Sequence, residues 1–382
     1  MDDDKRAGTS QNPLSGGRGA GLSFIIAGGG TGGHIFPAIA IANAIKTLMP
    51  EAEILFVGAK GKMEMEKVPQ AGYQIRGLDI AGFNRSSLMK NIALPYKLVK
   101  SFMQVKQIFK WFKPTAVIGV GGYSTYPVLK YAQSRGIKTF IHEANSFAGK
   151  ANKMLAAKAT EIFVATDGME KFFPQNKILV TGNPIRASIA NSSVTKEDAL
   201  RFFGLDPYKK TILSVGGSLG AKNINEALAA HIDEFEKNDL QVIWQTGKPF
   251  LQKAQEATAG KTNIWVNDFI MQMEYAYAAA DAVISRSGAM SVSELCVQKK
   301  AVLFVPYPFA TEDHQTANAK NLVNKNAAMM IKDGDAMNEL VKDIISLVKD
   351  EQKLDTFKNN IAKLSITNAD EVVAKNILQS VM

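Results

Sequence analysis

Cysteine and histidine are scarce in this chain. Cys296 is the one cysteine among 382 residues, so no disulfide can close within the chain and no thiolate-rich zinc site can be built. The four histidines are His34, His142, His231 and His314. None stands in an HExxH pairing, which argues against a metal-centred hydrolase. GxxxxGK[ST] is also missing, so the chain is not a P-loop ATPase. No apolar run nears the ~18–20 residues needed to span a bilayer. Residues 1–20 are rich in Gly, Ser and Asp and lack an apolar stretch. They read as an added leader or disordered tail, not a signal peptide.

What remains is an ordinary globular composition, 46% hydrophobic and 21% charged. At 382 residues the chain exceeds one ordinary core and predicts two domains. The balance of 45 basic and 36 acidic residues is +9. The excess is concentrated: residues 80–114 carry Arg85, Lys90, Lys97, Lys100, Lys106, Lys110 and Lys113 without an acidic residue. Phe83, Leu88, Met89, Ile92, Leu94, Leu98, Phe102, Ile108, Phe109, Trp111 and Phe112 are interleaved with them. One basic block mixed with apolar residues points to an anionic membrane surface rather than nucleic acid, with Lys97, Lys100 and Lys106 as candidate contacts. An ordinary helix with a solvated lysine face is the plainer alternative.

Short apolar runs, four of these six ending in glycine, recur along the chain: Leu22–Gly28, Ala52–Gly58, Thr115–Gly122, Lys138–Glu143, Glu161–Thr166 and Lys177–Gly182. The pattern restarts at Lys209–Ala221, followed by Gln241–Gly247, Asn263–Phe269, Ala282–Gly288, Ala301–Tyr307 and Ala327–Ile331. Helix-length segments separate the runs. Continuously apolar strands alternating with helices predict parallel sheets covered on both faces. The fold class is therefore α/β, two doubly wound Rossmann-like domains facing across a cleft. Gly182–Lys210 is the expected joint, and Asp355–Met382 reads as helical. Ligands of such sheets sit at the carboxyl ends of the strands, which makes the cleft the expected site.

The turns at those ends are glycine-rich. GGGTGGH (Gly28–His34) holds a GxGxxG between a strand and a helix. A nicotinamide site also wants Asp or Glu at the end of the second strand. Gly58-Ala59-Lys60-Gly61 stands there, and Glu53 sits at the start of that strand. The loop is better suited to an anion, which backbone N–H groups and a helix N-terminus favour. Related turns follow at Gly119–Pro127, Val215–Ala221 and Ser285–Glu294. Several such turns at one cleft predict a substrate with phosphates. His34 opens a helix, where the dipole favours a neutral imidazole able to take a proton. HEAN (His142–Asn145) ends another strand. Glu294 lies three residues after Ser291, so it either completes a capping box or reaches ribose hydroxyls.

GGGTGGH, GVGGYSTYP, HEAN, GNPIR, GGSLGA, SRSGAMSVSE and DHQTANA together resemble, in this order, the MurG family of peptidoglycan glycosyltransferases. The resemblance runs from about Leu22 to the C-terminus. It implies a GT-B fold and inverting transfer of N-acetylglucosamine from UDP-N-acetylglucosamine to undecaprenyl-diphosphate-linked N-acetylmuramoyl-pentapeptide, lipid I. It implies no cofactor and no metal, and a peripheral place on the cytoplasmic face of the inner membrane. Its division of the chain is a leader or tail at 1–20, an acceptor and membrane-facing domain at 21–184, a UDP-sugar domain at 185–362, and a helix at 363–382 packing back on the first domain.

By the same resemblance the donor meets Thr31, Gly32, Gly33, Asn145, Arg186, Ser218, Ile270, the run Ala289, Met290, Ser291, Val292, Ser293 and Glu294, and Gln315. Gly30, Gly121, Gly122 and Tyr123 form the acceptor-diphosphate loops. Thr316 stands where the family often has a second glutamine. His34 is the expected general base, with Glu143 in reserve. Asp333-Gly334-Asp335 has the spacing of a metal-binding DxD but lies far along the chain from the loops. Other readings of the same plan are a UDP-N-acetylglucosamine 2-epimerase, an NAD(P)-dependent oxidoreductase with Lys60 at a 2′-phosphate, and a non-catalytic nucleotide-sugar-binding scaffold.

Overall fold

The structure, a computed structural model, describes residues 21–82, 91–217 and 219–382. Among them the strands form two all-parallel sheets. The first contains β1 (Ser23–Ala27), β2 (Glu53–Ala59), β3 (Gln74–Leu78), β4 (Ala116–Gly119), β5 (Lys138–Glu143), β6 (Glu161–Val164) and β7 (Ile178–Val180), in the order β3-β2-β1-β4-β5-β6-β7. The second contains β8 (Lys210–Val215), β9 (Leu240–Gln245), β10 (Ile264–Asn267), β11 (Ala282–Ser285), β12 (Ala301–Phe304) and β13 (Met329–Met330), in the order β10-β9-β8-β11-β12-β13. In each sheet the order reverses beside the first strand, between β1 and β4 and between β8 and β11. These are the switch points where crevices open at strand ends.

The helices of the first half are α1 (Gly32–Leu48), α2 (Glu64–Gln70), α3 (Leu94–Phe112), α4 (Thr125–Ser134) and α5 (Lys150–Ala156). The joint carries α6 (Ala187–Ala190) and α7 (Lys196–Phe203). The second half has α8 (Lys222–Ala230), α9 (Asp233–Lys237), α10 (Leu251–Ala257), α11 (Met273–Ala279), α12 (Ala289–Val297) and α13 (His314–Val323). Then come α14 (Ala336–Lys349), α15 (Glu351–Ala362) and α16 (Ala369–Val381). The C-terminal stretch read as helical is α16 and most of α15, with a break between them.

Each strand feeds two cores because its side chains alternate. Phe24 and Ile26 pack with α1 residues Ile35, Ile41 and Ile45 on one face of the first sheet. Ile25 and Ala27 pack with Val105 and Ile108 of α3 and Leu129 of α4 on the other. Every residue of β1 is buried, which is why it reads as one continuous apolar run. β3 is different. It is an edge strand of mixed burial, its Gln74 and Arg76 exposed, so the apolar pattern passes over it.

The joint belongs to the second half's packing: Ile185, Ile189, Leu200 and Phe203 share a core with Val283 and Leu295. The C-terminus does the reverse. Val373, Ala374, Ile377 and Leu378 of α16 are buried with α1 in the first half's core. A buried side chain of this size is worth ~1.5–3 kcal/mol, so these contacts hold α16 firmly on α1.

Candidate active site

The turn after β1 is held from three sides. Gly28 N–H donates to Val57 O (3.1 Å) and Gly29 N–H to Gly121 O (3.3 Å). Gly30 N–H donates to Glu64 Oε2 (2.8 Å). Gly121 and Gly122, in the turn after β4, have φ of +98° and +85°. A side chain on Gly122 would strike Gly29 O at 2.5 Å, and one on Gly121 the His34 ring at 2.8 Å. Here glycine is demanded twice, by backbone conformation and by space. Thr31 caps α1 with extended backbone, and Gly32 and Gly33 are its first two residues. Their N–H groups, in the first turn, have no carbonyl to meet within the helix. Tyr123 packs its ring over Gly82.

His34 sits among these turns. Its Nδ1 lies 3.1 Å from Gly29 O and 3.3 Å from Thr31 Oγ1. A carbonyl only accepts, so these partners assign the proton to Nδ1 and leave Nε2 with its lone pair. Burial holds the imidazole below its usual pKa; Glu143, the Gly29 carbonyl and Glu64 pull it up, and His314 pushes it down. His34 is thus neutral near pH 7 with an available base nitrogen. His314 belongs to DHQTANA in the other half, so this influence on His34 comes from across the two halves.

Glu143 is committed elsewhere. Its Oε1 accepts from Asn145 N (3.1 Å) and Asn145 Nδ2 (3.3 Å), and its Oε2 from Gly149 N (3.0 Å) and Asn152 Nδ2 (2.9 Å). With four donors on one buried carboxylate, Glu143 anchors the turn after β5 and the start of α5. This argues against the reserve role expected of it.

Asparagines join the two halves. Asn318 donates from Nδ2 to Asn145 Oδ1 (3.2 Å) and Ser287 O (3.0 Å), while its Oδ1 accepts from Ser146 N (2.8 Å). Asn183 donates from Nδ2 to Ala144 O and Ser293 Oγ, both at 3.0 Å. Both lie inside motifs quoted above, GNPIR and DHQTANA, where sequence reasoning singled out Arg186, Gln315 and Thr316 but not these asparagines.

In the second half, Arg186 and Glu294 meet each other. Arg186 Nε and Nη2 donate to Glu294 Oε1 (3.1 and 3.0 Å), and Tyr277 OH donates to Oε2 (3.0 Å). Burial pushes the Glu294 carboxyl up and Arg186 draws it back. The capping box does not exist: α12 begins at Ala289 after Gly288, which places Glu294 a full turn inside the helix. Ala289, Met290 and Ser291 open α12, Val292 is buried, and Ser293 carries the Asn183 bond.

Ile270 is buried, and its N–H donates to Gln245 Oε1 (3.2 Å), so only its carbonyl is left for a ligand. Gln245 also donates to Gly217 O (3.0 Å), joining the third glycine turn to Ile270. Ser218 of that turn lies outside the described residues. Gln315 accepts Tyr307 N–H at its Oε1 (2.9 Å), and Thr316 Oγ1 donates to Asp313 Oδ1 (2.6 Å).

Other sequence expectations are corrected by partners distant in the chain. Asp333 does reach the loops: it pairs with Arg286 Nη1 (2.6 Å) and accepts from Asn223 Nδ2 at Oδ2 (2.6 Å). That spends the carboxylate on a structural tie. Lys60 pairs with Asp79 (2.8 Å), away from any 2′-phosphate role. Lys100 pairs with the same Asp79 (2.9 Å), whose carboxyl is held down at about 2 by the bonds from Lys60 and Lys100. The basic stretch is therefore partly neutralised by an acid just upstream of it. Glu64 had no sequence signal as a site residue. It enters from α2, next to the end of β2, where the sequence shows no acid at the strand itself.

Comparisons with known proteins identify the family of the chain. Residues 24–164 match the glycosyltransferase family 28 N-terminal domain, and residues 211–376 match the family 28 C-terminal domain. A UDP-N-acetylglucosamine--N-acetylmuramyl-(pentapeptide) pyrophosphoryl-undecaprenol N-acetylglucosamine transferase of Phocaeicola vulgatus is 52% identical over 361 residues, 94% of this chain and 96% of the relative. The protein of the same name from Bacteroides fragilis is 52% identical over 367 residues, 95% of this chain and 97% of the relative. The crystal structure of MurG from Acinetobacter baumannii superposes with a TM-score of 0.77 at 29% identity, covering 94% of this chain and 99% of that one. With both domain models matched in order and full-length relatives sharing half its residues, the chain belongs to glycosyltransferase family 28.

Proposed function

We propose that this chain transfers N-acetylglucosamine from UDP-N-acetylglucosamine to the 4-hydroxyl of undecaprenyl-diphosphate-linked N-acetylmuramoyl-pentapeptide, with inversion at the anomeric carbon. The observation that carries this reading is 52% identity, over 94% and 95% of the chain, to transferases of that name. The cleft supplies suitable chemistry. His34 Nε2 takes the proton of the acceptor hydroxyl as its oxygen bonds to the anomeric carbon. The bond to the departing UDP breaks, and its electron pair stays on the diphosphate. N–H groups at the starts of α1 and α12 stabilise the diphosphate charges without a metal. No cofactor enters this reading.

Donor contacts are assigned to Thr31, Gly32, Gly33, Asn145, Arg186, Ser218, Ile270, Ala289–Glu294 and Gln315, and acceptor-diphosphate contacts to Gly30, Gly121, Gly122 and Tyr123. Glu294 needs its Arg186 and Tyr277 bonds to rearrange before it can serve ribose hydroxyls. Glu143 is read as a positioning residue. Residues 21–184 are taken as the acceptor unit and 185–362 as the donor unit, with 363–382 returning to the first. The packing of Ile185 and of α16 supports that division.

The anionic membrane surface is assigned to α3. Its core face is Ser101, Val105, Ile108 and Phe112. On the opposite face Tyr96, Val99 and Met103 are exposed in one row, preceded by exposed Ile92 just before the helix and continuing into exposed Lys106 and Lys110. An apolar row ending in lysines suits an interfacial helix on anionic lipid. Among the described residues no helix is long and apolar enough to cross a membrane. We place the enzyme peripherally, on the cytoplasmic face of the inner membrane. Arg85 and Lys90 lie outside the described residues.

Radiolabelled transfer from UDP-N-acetylglucosamine to a lipid I analogue tests the reaction. Labelled product with inverted stereochemistry is expected. Epimerised free sugar, or binding without turnover, would overturn it in favour of an epimerase or a scaffold.

A further inference from the structure

The peptide group joining Gly29 to Gly30 is held at both ends. Its carbonyl faces His34 Nδ1 at 3.1 Å, and its N–H donates to Glu64 Oε2 at 2.8 Å. Carboxylate, peptide and imidazole thus lie on one continuous chain of hydrogen bonds. We propose that Glu64 is a positioning residue for the reaction: through the Gly29–Gly30 peptide it fixes the Nδ1–H tautomer of His34 and strengthens Nε2 as a base. This rests on the reading of His34 as the proton acceptor.

The geometry around Glu64 is built for that purpose. Its side chain is 1% exposed, and its second oxygen accepts the Ala59 N–H at 3.0 Å. A Cβ on Gly29 would lie 2.4 Å from its Cδ, and one on Gly58 2.5 Å from its Cγ. Two glycines therefore make room for this carboxylate. Among the described residues no cation pairs with it. Burying an unpaired carboxylate is costly, and two amide donors are a modest return if stability were its only use. Hydrogen bonds in series polarise one another. An anion on the N–H side makes the Gly29 carbonyl a stronger acceptor, which secures the proton on Nδ1. When Nε2 takes the acceptor proton, the imidazolium lies at the end of a chain leading to a negative charge.

The ionisable groups acting on His34 come from several elements. Against the burial that disfavours the charged ring, Glu143 on β5 favours it most, His314 on α13 disfavours it, and Glu64 on α2 favours it more weakly. His142, the residue before Glu143, is coupled to it with the same unfavourable sign. Removing the Glu64 charge should therefore lower the His34 pKa further, shift the acid limb of kcat/KM to lower pH and weaken the base.

The test is Glu64→Gln, which keeps the shape and removes the charge. The His34 ring signal, assigned by its loss in His34→Ala, is titrated by NMR in both proteins. A pKa lower by about half a unit to one unit is expected, with kcat down about tenfold and KM for UDP-N-acetylglucosamine unchanged. An unmoved His34 titration and an unmoved pH profile would overturn the proposal, even if turnover fell, because a purely structural brace predicts that result. Near-normal turnover in His34→Ala would instead refute the base reading, while the titration still decides whether Glu64 acts on His34. If Glu64→Gln does not fold, Glu64→Asp keeps the charge with a shorter reach. The same titration then applies: a lowered His34 pKa supports the chain of bonds, and an unchanged one overturns it.

Discussion

The turn after β1 in the first half is closed on internal partners: Gly28, Gly29 and Gly30 donate to Val57, Gly121 and Glu64. In the second half the paired element is a charge contact, Arg186 on Glu294, backed by Tyr277. The first arrangement holds the imidazole of His34, the proposed base, in one orientation before any ligand arrives. The second holds groups whose present partners are each other, so a nucleotide bound there, as proposed, must displace or share those bonds. Chemistry that needs a fixed geometry gains from the first kind of site, and binding coupled to rearrangement from the second.

The largest effect should come from the first half. His34→Ala should reduce turnover by roughly 10²–10⁴-fold while UDP affinity, read by calorimetry, stays near wild type. Loss of UDP binding instead would erase the division of labour between the halves.

His142 sharpens the contrast through pH. Its ring is fully buried near the Gly182 backbone, and burial drops its pKa to about 4. The unfolded chain takes that proton near 6.5. The group's stabilising contribution is therefore whole above pH 6.5 and drains away as pH falls toward 4, by about 3 kcal/mol in all. Urea unfolding at pH 7 and pH 5 should show a smaller acid loss for His142→Phe than for wild type; equal losses would place the acid sensitivity elsewhere.

In the second half, Glu294→Ala should weaken UDP by ~1.5–3 kcal/mol, the worth of bonds to a charged group. Freed Arg186 could offset part of that by meeting the diphosphate, so Arg186→Ala belongs beside it. Calorimetric affinities equal to wild type in both would remove the pair from the donor site.

A smaller effect is expected outside the cleft. Lys106, Lys110 and Lys113 replaced by Ser should reduce binding to anionic liposomes, since roughly 1 kcal/mol per basic residue is available at such a surface. Salt should weaken the wild type likewise. Lys100 is a poor choice for this test because Asp79 already holds it. Flotation unchanged at low salt would return α3 to an ordinary solvated helix. The smallest change should follow EDTA: turnover of the metal-stripped enzyme should match the untreated enzyme, and rescue by Mg²⁺ or Mn²⁺ would refute the helix-start account of leaving-group stabilisation.

Local chemistry is what a sequence displays, and here it displayed a great deal. Continuous burial makes β1 and β4 legible as apolar runs, and glycines at their ends mark turns that need positive φ or close approach. Those features depend on neighbours a few residues away. The partial apolarity of edge strand β3 left no such mark. The remaining decisions belong to the sheet order, which sets β2 beside β1 and β4 on its other side. That order gathers the turns of the first half, and tertiary packing as a whole brings Glu64 to Gly30 across 34 residues, Arg186 to Glu294 across 108, and Asn145 to Asn318, from one half to the other, across 173. It also turns Asp79 toward Lys100 and Asp333 toward Arg286. No spacing rule encodes these pairs. A buried carboxylate or amide takes the donors that packing leaves beside it, and only the folded chain decides which those are.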